Sequence, residues 1–511
     1  MSDTSANNKR IAKNTLVLYV RMLFLMAINL YTSRVILEAL GVEDFGVYNV
    51  VGGFVALFAI LSQSLSTAAS RFLTYEMGRG DKTQLGLVFS STLVIHIFLA
   101  LIIVVLSEAV GIWFVNEKMV VPQDRLYATN WVFQFSILSF ALNLITVPHN
   151  AAIIAHEKMS TFAYISIFEG LGKLLICYLV MISPIDRLIA YGFLMLVIHG
   201  LCRGMYYFYC KRHYEECHFR FVIDKKLLKE IFGFASWNMI GSSASVLRNQ
   251  GGNILINLFG GPVVNAARAI ANQVLHAVNG FVQNFFMALR PQITKSYASG
   301  DRDYMMTLIY QGSRLSYYML LIICLPILMS TDYLLHLWLK TVPDHTVLFV
   351  QLTMIFAMIE SISVPLTTAQ LATGKVRNYQ IIVGGLQMMN FPVSYVILKL
   401  GGIPETILYV AIVLSLCCLY ARLLMLRVNV GLKVKDFFCQ VILNVCVVSA
   451  SSIVIPLLIV KTIENNFMFF LINVFICLLS TTLSIYYIGC KKSERRFILE
   501  KLYVLKSRFY K

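Results

Sequence analysis

Long apolar runs broken by short polar turns recur along the whole chain, and they set the first expectation. Hydropathy divides the sequence into fourteen candidate membrane spans. They lie near 12–38, 44–70, 85–113, 126–150, 160–183, 188–210 and 229–258, then 262–289, 304–330, 346–371, 379–399, 404–426, 437–460 and 466–489. About 20 apolar residues in a helix cross ~30 Å of hydrocarbon, so each run is long enough to span a bilayer. A transmembrane barrel would instead show short segments of alternating polarity. The pattern predicts an all-α membrane protein of about fourteen helices. Its first stretch, from Ile11 to Gly41, carries Arg21 and Arg34 where lipid-facing residues are expected. A cation at membrane depth costs several kcal/mol unless it meets a partner or a wet cavity.

Composition agrees with the pattern. The 511 residues are 58% hydrophobic and only 14% charged, with a mean hydropathy of +0.73, well outside the range of soluble domains. The net charge of +17 would fit a nucleic-acid binder, but the placement of the charge speaks against that. Most of the 43 Lys and Arg fall in alternate loops, all on one side if the N-terminus is cytoplasmic. Both termini are therefore expected in the cytoplasm, with the basic loops drawn to anionic lipid and no nucleic-acid partner. The first apolar run is too long for a cleaved signal peptide and is expected to be retained. The tail from Lys491, KKSERRFILEKLYVLKSRFYK, reads as an interfacial helix on the inner leaflet. The eleven cysteines show no C-x-x-C or Cys/His spacing, so no metal or other cofactor is expected.

A shift of the chain by 220 residues lays ALGVEDFGVYNVVGGF on FGGPVVNAARAIANQV without a gap, pairing Gly41 with Gly261, Gln63 with Gln283, Gly80 with Gly300 and Asp81 with Asp301. Six spans separate the copies, so both share one orientation in the membrane. Same-sense repeats of this kind build two lobes with a substrate path at their junction. The expected organisation is an N-lobe of six helices over 1–212, a cytoplasmic linker over 213–228 and a C-lobe of six helices over 229–427. Two further helices over 428–490 and the basic tail, 491–511, complete the chain.

The second repeat opens with polar stripes. Asn265, Arg268, Asn272, His276, Asn279 and Gln283 recur at three- and four-residue steps, one face of a helix, and Asn238, Ser242, Ser245 and Asn249 do the same beside Arg248. A stripe of this length cannot face lipid, so it faces other helices or water. Asn249-Gln250-Gly251-Gly252-Asn253 should weaken its helix locally. Glu169 and Lys173, four apart, should neutralise each other. Arg34 has the same option with Glu38. What remains is a cationic interior of Arg21, Arg34, Arg248, Arg268 and Arg314, with Glu360 or His276 as candidate titratable coupling groups for a proton or sodium ion. Guanidiniums suit phosphate oxygens, and the Asn and Gln amides suit sugar hydroxyls.

The segments NTLVLYVRMLF, SRVILEALGVEDFGVYNVVGGF, VPHNAAIIAHEKMSTFAYISIFEGLGKLL and LRNQGGNILINLFGGPVVNAARAIANQV resemble the bacterial polysaccharide transport proteins. These are the Wzx-type O-antigen and capsule flippases of the multidrug/oligosaccharidyl-lipid/polysaccharide superfamily. The resemblance implies a MATE-like arrangement of the lobes in the bacterial inner membrane and movement of an undecaprenyl-diphosphate-linked oligosaccharide to the outer leaflet by alternating access. It also implies that the arginines, with Asn249 and the stripe, touch that substrate. The partners expected are the lipid-linked glycan and membrane lipid, the protein acting as a monomer and not as an enzyme. Two alternatives stand beside this reading. A cation-coupled small-molecule exporter of the same fold would place carboxylates in its first span, and this chain has arginine there. A membrane glycan polymerase or ligase would need a substantial outer loop, and no outer loop exceeds about fifteen residues.

Overall fold

The computed structural model describes residues 2–56, 58–118, 123–218, 224–339, 342–460, 467–492 and 494–496. Among these residues every regular element is helical. Most of the basic tail, 497–511, lies outside the described residues.

The first helix, α1 (Ser2–Ala56), is two arms joined at Gly41, whose backbone leaves the helical region (φ 80, ψ 167). A straight helix of 55 residues would run about 80 Å, more than twice a bilayer, so the break is what lets the chain turn back. There follow α2 (Ala59–Arg79), α3 (Lys82–Leu106), α4 (Leu126–Ala155), α5 (Met159–Met181), α6 (Arg187–His213) and α7 (Lys225–Val246). The backbone then widens into one π-turn over Leu247–Gly251 before α8 (Gly252–Ala298) begins. That turn falls on the Asn-Gln-Gly-Gly stretch expected to be weak. The long α8 also doubles back. Asn253 and Arg268, which a straight helix would hold about 22 Å apart, are joined by a 2.9 Å hydrogen bond.

Beyond it lie α9 (Arg302–Met329), α10 (Thr331–Trp338) and α11 (Thr346–Ala372). One interrupted run then holds α12 (Arg377–Tyr379), α13 (Gly385–Met388) and α14 (Asn390–Lys399). The chain closes with α15 (Thr406–Val430), α16 (Val434–Phe437), α17 (Asn444–Val460) and α18 (Phe467–Ser484). Eleven helices among the described residues are long and apolar enough to cross a membrane. The expected spans 44–70, 229–258 and 262–289 fall in α1–α2, α7 and α8, where Gln, Asn, Ser and Arg dilute the apolar content, so the count of fourteen rests on the sequence reading. The repeat appears in the backbone as well. Gly80 and Gly300, superposed by the 220-residue shift, both end their helices in the left-handed conformation, with φ of 77 and 81. That region is open to glycine and costly to other residues.

The chain divides into two compact units, residues 1–243 with 287–301, and residues 244–286 with 302–511. In the first unit the core is built on Phe133 of α4, fully buried among Val47, Val51, Val115, Val132 and Leu188. Gly111 makes room for it, since a Cβ there would sit 2.2 Å from the ring. Polar clamps hold the ends of this unit. At one end Arg125 donates from Nε to Asp44 at 2.7 Å and from Nη1 to Asp186 at 2.7 Å, while Asp186 also caps α6 by accepting from Leu188 and Ile189. The other clamp is Glu157, in the turn between α4 and α5, whose side chain is 1% exposed. It binds Arg10 at 2.7 Å and Lys295 at 2.6 Å, accepts from Gln292, and its main-chain carbonyl accepts from Asn14 at 3.0 Å. One carboxylate thus ties α1, the α4–α5 turn and the end of α8 together. The outward faces carry large apolar side chains such as Phe98, Tyr164, Phe208, Leu258 and Phe475, as lipid contact requires.

Candidate functional site

The second unit gathers charge in its interior. The π-turn at Leu247–Gly251 carries Arg248, whose guanidinium lies 5.0 Å from the Phe356 ring of α11. Arg268, 6% exposed, donates from Nε to Asn253 and presses against Gly252, where a Cβ would stand 3.0 Å from Nη2. On α11, Glu360 accepts from Ser415 of α15 at 2.5 Å and interacts with the charges of Arg422 and Arg248. Arg248 acts in turn on Arg268. Arg422, 4% exposed on α15, donates from Nε to the Tyr379 hydroxyl at 3.2 Å, and that hydroxyl lies 3.1 Å from Thr367. Arg248 and Arg422 therefore share one carboxylate, and Arg268 adds a third guanidinium within reach of the Arg248 charge. Two buried donors of the group, Arg248 Nε and Arg422 Nη1, have no hydrogen-bond partner. Removing a charge from water without a partner costs several kcal/mol, so an interior with an excess of arginine is matched to an anion.

Arg21 makes a separate, smaller site in the first unit. Its guanidinium lies 4.5 Å from the Phe162 ring, its Nε is buried without a partner, and Tyr206 and Glu169 act on it electrostatically. Glu169 meets Lys173 at 2.5 Å, the pairing that their spacing implies, and His199 at 3.8 Å.

The remaining sequence candidates are dispersed. Along the α8 stripe, Asn272 and Asn279 are half-buried, while His276 and Gln283 are exposed. Arg314 is buried in α9 and bound at 2.7 Å to Glu494 and at 3.2 Å to the Gly489 carbonyl, which holds it to the C-terminal helix end and not in the arginine cluster. The side chains of Arg34 and Asn249 lie outside the described residues. Hydropathy alone passed over Arg422 and Arg203, because each sits near the C-terminal end of its span, the end expected in the cytoplasm, and reads there as a topology charge. The signal that would have found them is depth. Arg203 lies eight residues before Lys211, about 12 Å further along α6.

The helical architecture is that of a known class of membrane transporters. The chain superposes on the bent form of the Vibrio cholerae MATE transporter VcmN with a TM-score of 0.72, at 14% identity over 86% of this chain and 100% of that one. A MATE structure in complex with MaD3S gives 0.71, at 11% identity over 83% and 96%. An outward-facing MATE family multidrug resistance transporter of the MOP superfamily gives 0.69, at 11% over 82% and 96%. At these identities the likeness establishes the fold. The family follows from sequence: residues 11–297 match the polysaccharide biosynthesis protein family, and the chain belongs to it. It is also 21% identical over 299 residues to the uncharacterized membrane protein EpsK of Bacillus subtilis (strain 168), spanning 58% of that relative's length and 57% of its own. The protein is a multi-pass membrane protein of the polysaccharide biosynthesis protein family with a MATE-like fold.

Proposed function

We propose that this transporter flips an undecaprenyl-diphosphate-linked oligosaccharide from the cytoplasmic to the outer leaflet of the bacterial inner membrane by alternating access. The observation that carries the reading is the arginine excess of the second unit, where Arg248 and Arg422 share the carboxylate of Glu360 and Arg268 lies within reach of the Arg248 charge. A diphosphate linkage supplies the anion that such a cluster favours, and guanidinium forks bind phosphate oxygens two at a time. The polar stripe of α8 offers amides to sugar hydroxyls, and Arg21 adds a second cationic contact. A polyprenyl chain, being apolar, needs no site in the protein and stays in lipid. Glu360, held among arginines, and His276, exposed on the stripe, are the titratable groups available for coupling to a proton or sodium ion.

The test is flipping of a fluorescent diphosphate-linked oligosaccharide in proteoliposomes. Arg248→Ala and Arg21→Ala should lower the rate at least about tenfold, the loss of one charge-assisted contact of ~1.4 kcal/mol or more. Rates unchanged in both variants would reject the reading. Transport of organic cations that survives in Arg248→Ala and disappears in Glu360→Gln would favour the small-molecule exporter.

A further inference from the structure

A second group of buried nitrogens lies inside the first unit and belongs to none of the sites above. His96 of α3 is 1% exposed and His149 of α4 is 5% exposed. Arg203 of α6 acts electrostatically on both imidazoles. Both terminal nitrogens of Arg203, Nη1 and Nη2, are buried without a hydrogen-bond partner, as is His96 Nε2. Among the described residues no carboxylate acts on any of the three. The other groups against His149 are the Ile145 carbonyl one turn back on α4, which the ring bonds, and, from α3 and α6, the Phe89 ring at 5.2 Å, the Tyr207 ring at 5.8 Å and Cys210 Sγ at 3.5 Å from the His149 carbonyl oxygen. Glu169, also in this unit, is engaged by Lys173 and His199.

The hydrogen-bond polarity of the group is set by one contact. His96 Nδ1 lies 2.7 Å from the Thr92 carbonyl oxygen. A carbonyl can only accept, so Nδ1 carries the proton and Nε2 of the neutral ring presents a lone pair. Arg203 presents only donors. A ligand matching both must offer anionic oxygens to the guanidinium and a hydroxyl proton to His96. Oxyanions that retain a proton at neutral pH have that pattern, phosphate foremost. Sulfate has the charge and shape but no proton to give.

We propose that Arg203, His96 and His149 form a binding site for a protonated oxyanion of the phosphate class within the first unit. Free phosphate and the phosphomonoester headgroup of a lipid share that chemistry. The site rests on its own residues and not on the proposed substrate, since a failure of oligosaccharide flipping would leave its binding unchanged.

The experiment measures thermal unfolding of the full-length protein in detergent while inorganic phosphate, sulfate or short-chain phosphatidic acid is titrated. Saturable stabilisation by phosphate, by phosphatidic acid or by both is expected, and the arm that responds identifies the source. Phosphate should bind at least about tenfold more tightly than sulfate, because a site that accepts a ligand hydroxyl rejects an analogue lacking it. Arg203→Gln should remove the response. Arg203→Lys, which keeps the charge that folding has accommodated, should weaken it about tenfold through loss of the planar fork. A wild-type protein that responds to no probe, that responds equally to sulfate, or whose response persists in Arg203→Gln would overturn the proposal.

Discussion

Single residues carry the polar architecture of this protein because its interior has few alternatives to them. Glu157 is the clearest case. One nearly inaccessible carboxylate satisfies Arg10, Lys295 and Gln292 at once, so its removal strands cations from two other helices. Breaking a buried pair by deleting one partner costs about 3 kcal/mol or more. Glu157→Ala should lower the unfolding temperature in detergent by several degrees, and Glu157→Gln should recover only part of the loss. Asp186 gives a pH signature. Burial pushes its carboxyl up, but the hydrogen bond from Arg125, the amides of Ile189 and Leu188 and the Arg125 charge outweigh that and hold it below the ordinary range. A carboxyl lowered in the folded state adds stability above its unfolded value of about 3.9 and loses it as pH falls toward the folded value. The destabilisation caused by Asp186→Asn should therefore be full at pH 6 and shrink below pH ~4, which unfolding midpoints across that range will show.

Among helices, the decisive quantity is how closely two backbones can approach. Gly78 of α2 lies against the end of α8 so tightly that a Cβ would fall 2.8 Å from Ala298 Cβ and 2.9 Å from both Cα and O of Lys295. Backbone atoms cannot swing aside as a flexible side chain can. Gly78 and Ala298 are 220 residues apart, the same offset as the internal repeat, so repeat-related helix ends touch one another. Nearby, the rings of Tyr75 and Tyr297 lie 6.2 Å apart. Gly78→Val should separate the two ends at a cost of about 1–3 kcal/mol. The reading is disulfide formation between cysteines placed at 75 and 297, expected in the parent and reduced in the Gly78→Val background. Undiminished cross-linking would show that the helices yield without parting. The π-turn at Leu247–Gly251 works on the same scale by a different means, since the extra residue in the turn re-aims Arg248 relative to the helix before it.

For the molecule as a whole, the relevant field is the membrane potential. Moving an anion outward across an inside-negative membrane is favourable by ~2.3 kcal/mol per charge per 100 mV, and a diphosphate-linked substrate gains about twice that. Flipping in proteoliposomes should accelerate when an inside-negative potential is imposed. Rates indifferent to both the potential and a pH gradient would remove this contribution. The charge asymmetry of the loops makes a second prediction at this scale. Reporter fusions at the N-terminus and at 491 should both report the cytoplasm, and a fusion at 184 the outside.

The all-helical class, the membrane location and the internal repeat were legible in the sequence, because each depends on patterns that run along the chain: apolar stretches of bilayer length, and a 220-residue offset that recurs as paired left-handed glycines at 80 and 300. So was the pairing of Glu169 with Lys173, which needs only helical spacing. Contacts between segments far apart in the chain were not legible. Arg314 looked like a free cation until the fold brought Glu494 to it across 180 positions. Arg422 and Arg203 read as topology charges until packing buries their guanidinium nitrogens, and nothing along the chain marks Glu157 as the residue that gathers Arg10, Lys295 and Gln292. Periodicity records which face of a helix is polar. Which distant charge comes to meet that face depends on how the helices pack, and that packing decides whether a buried cation is already satisfied or left to bind something else.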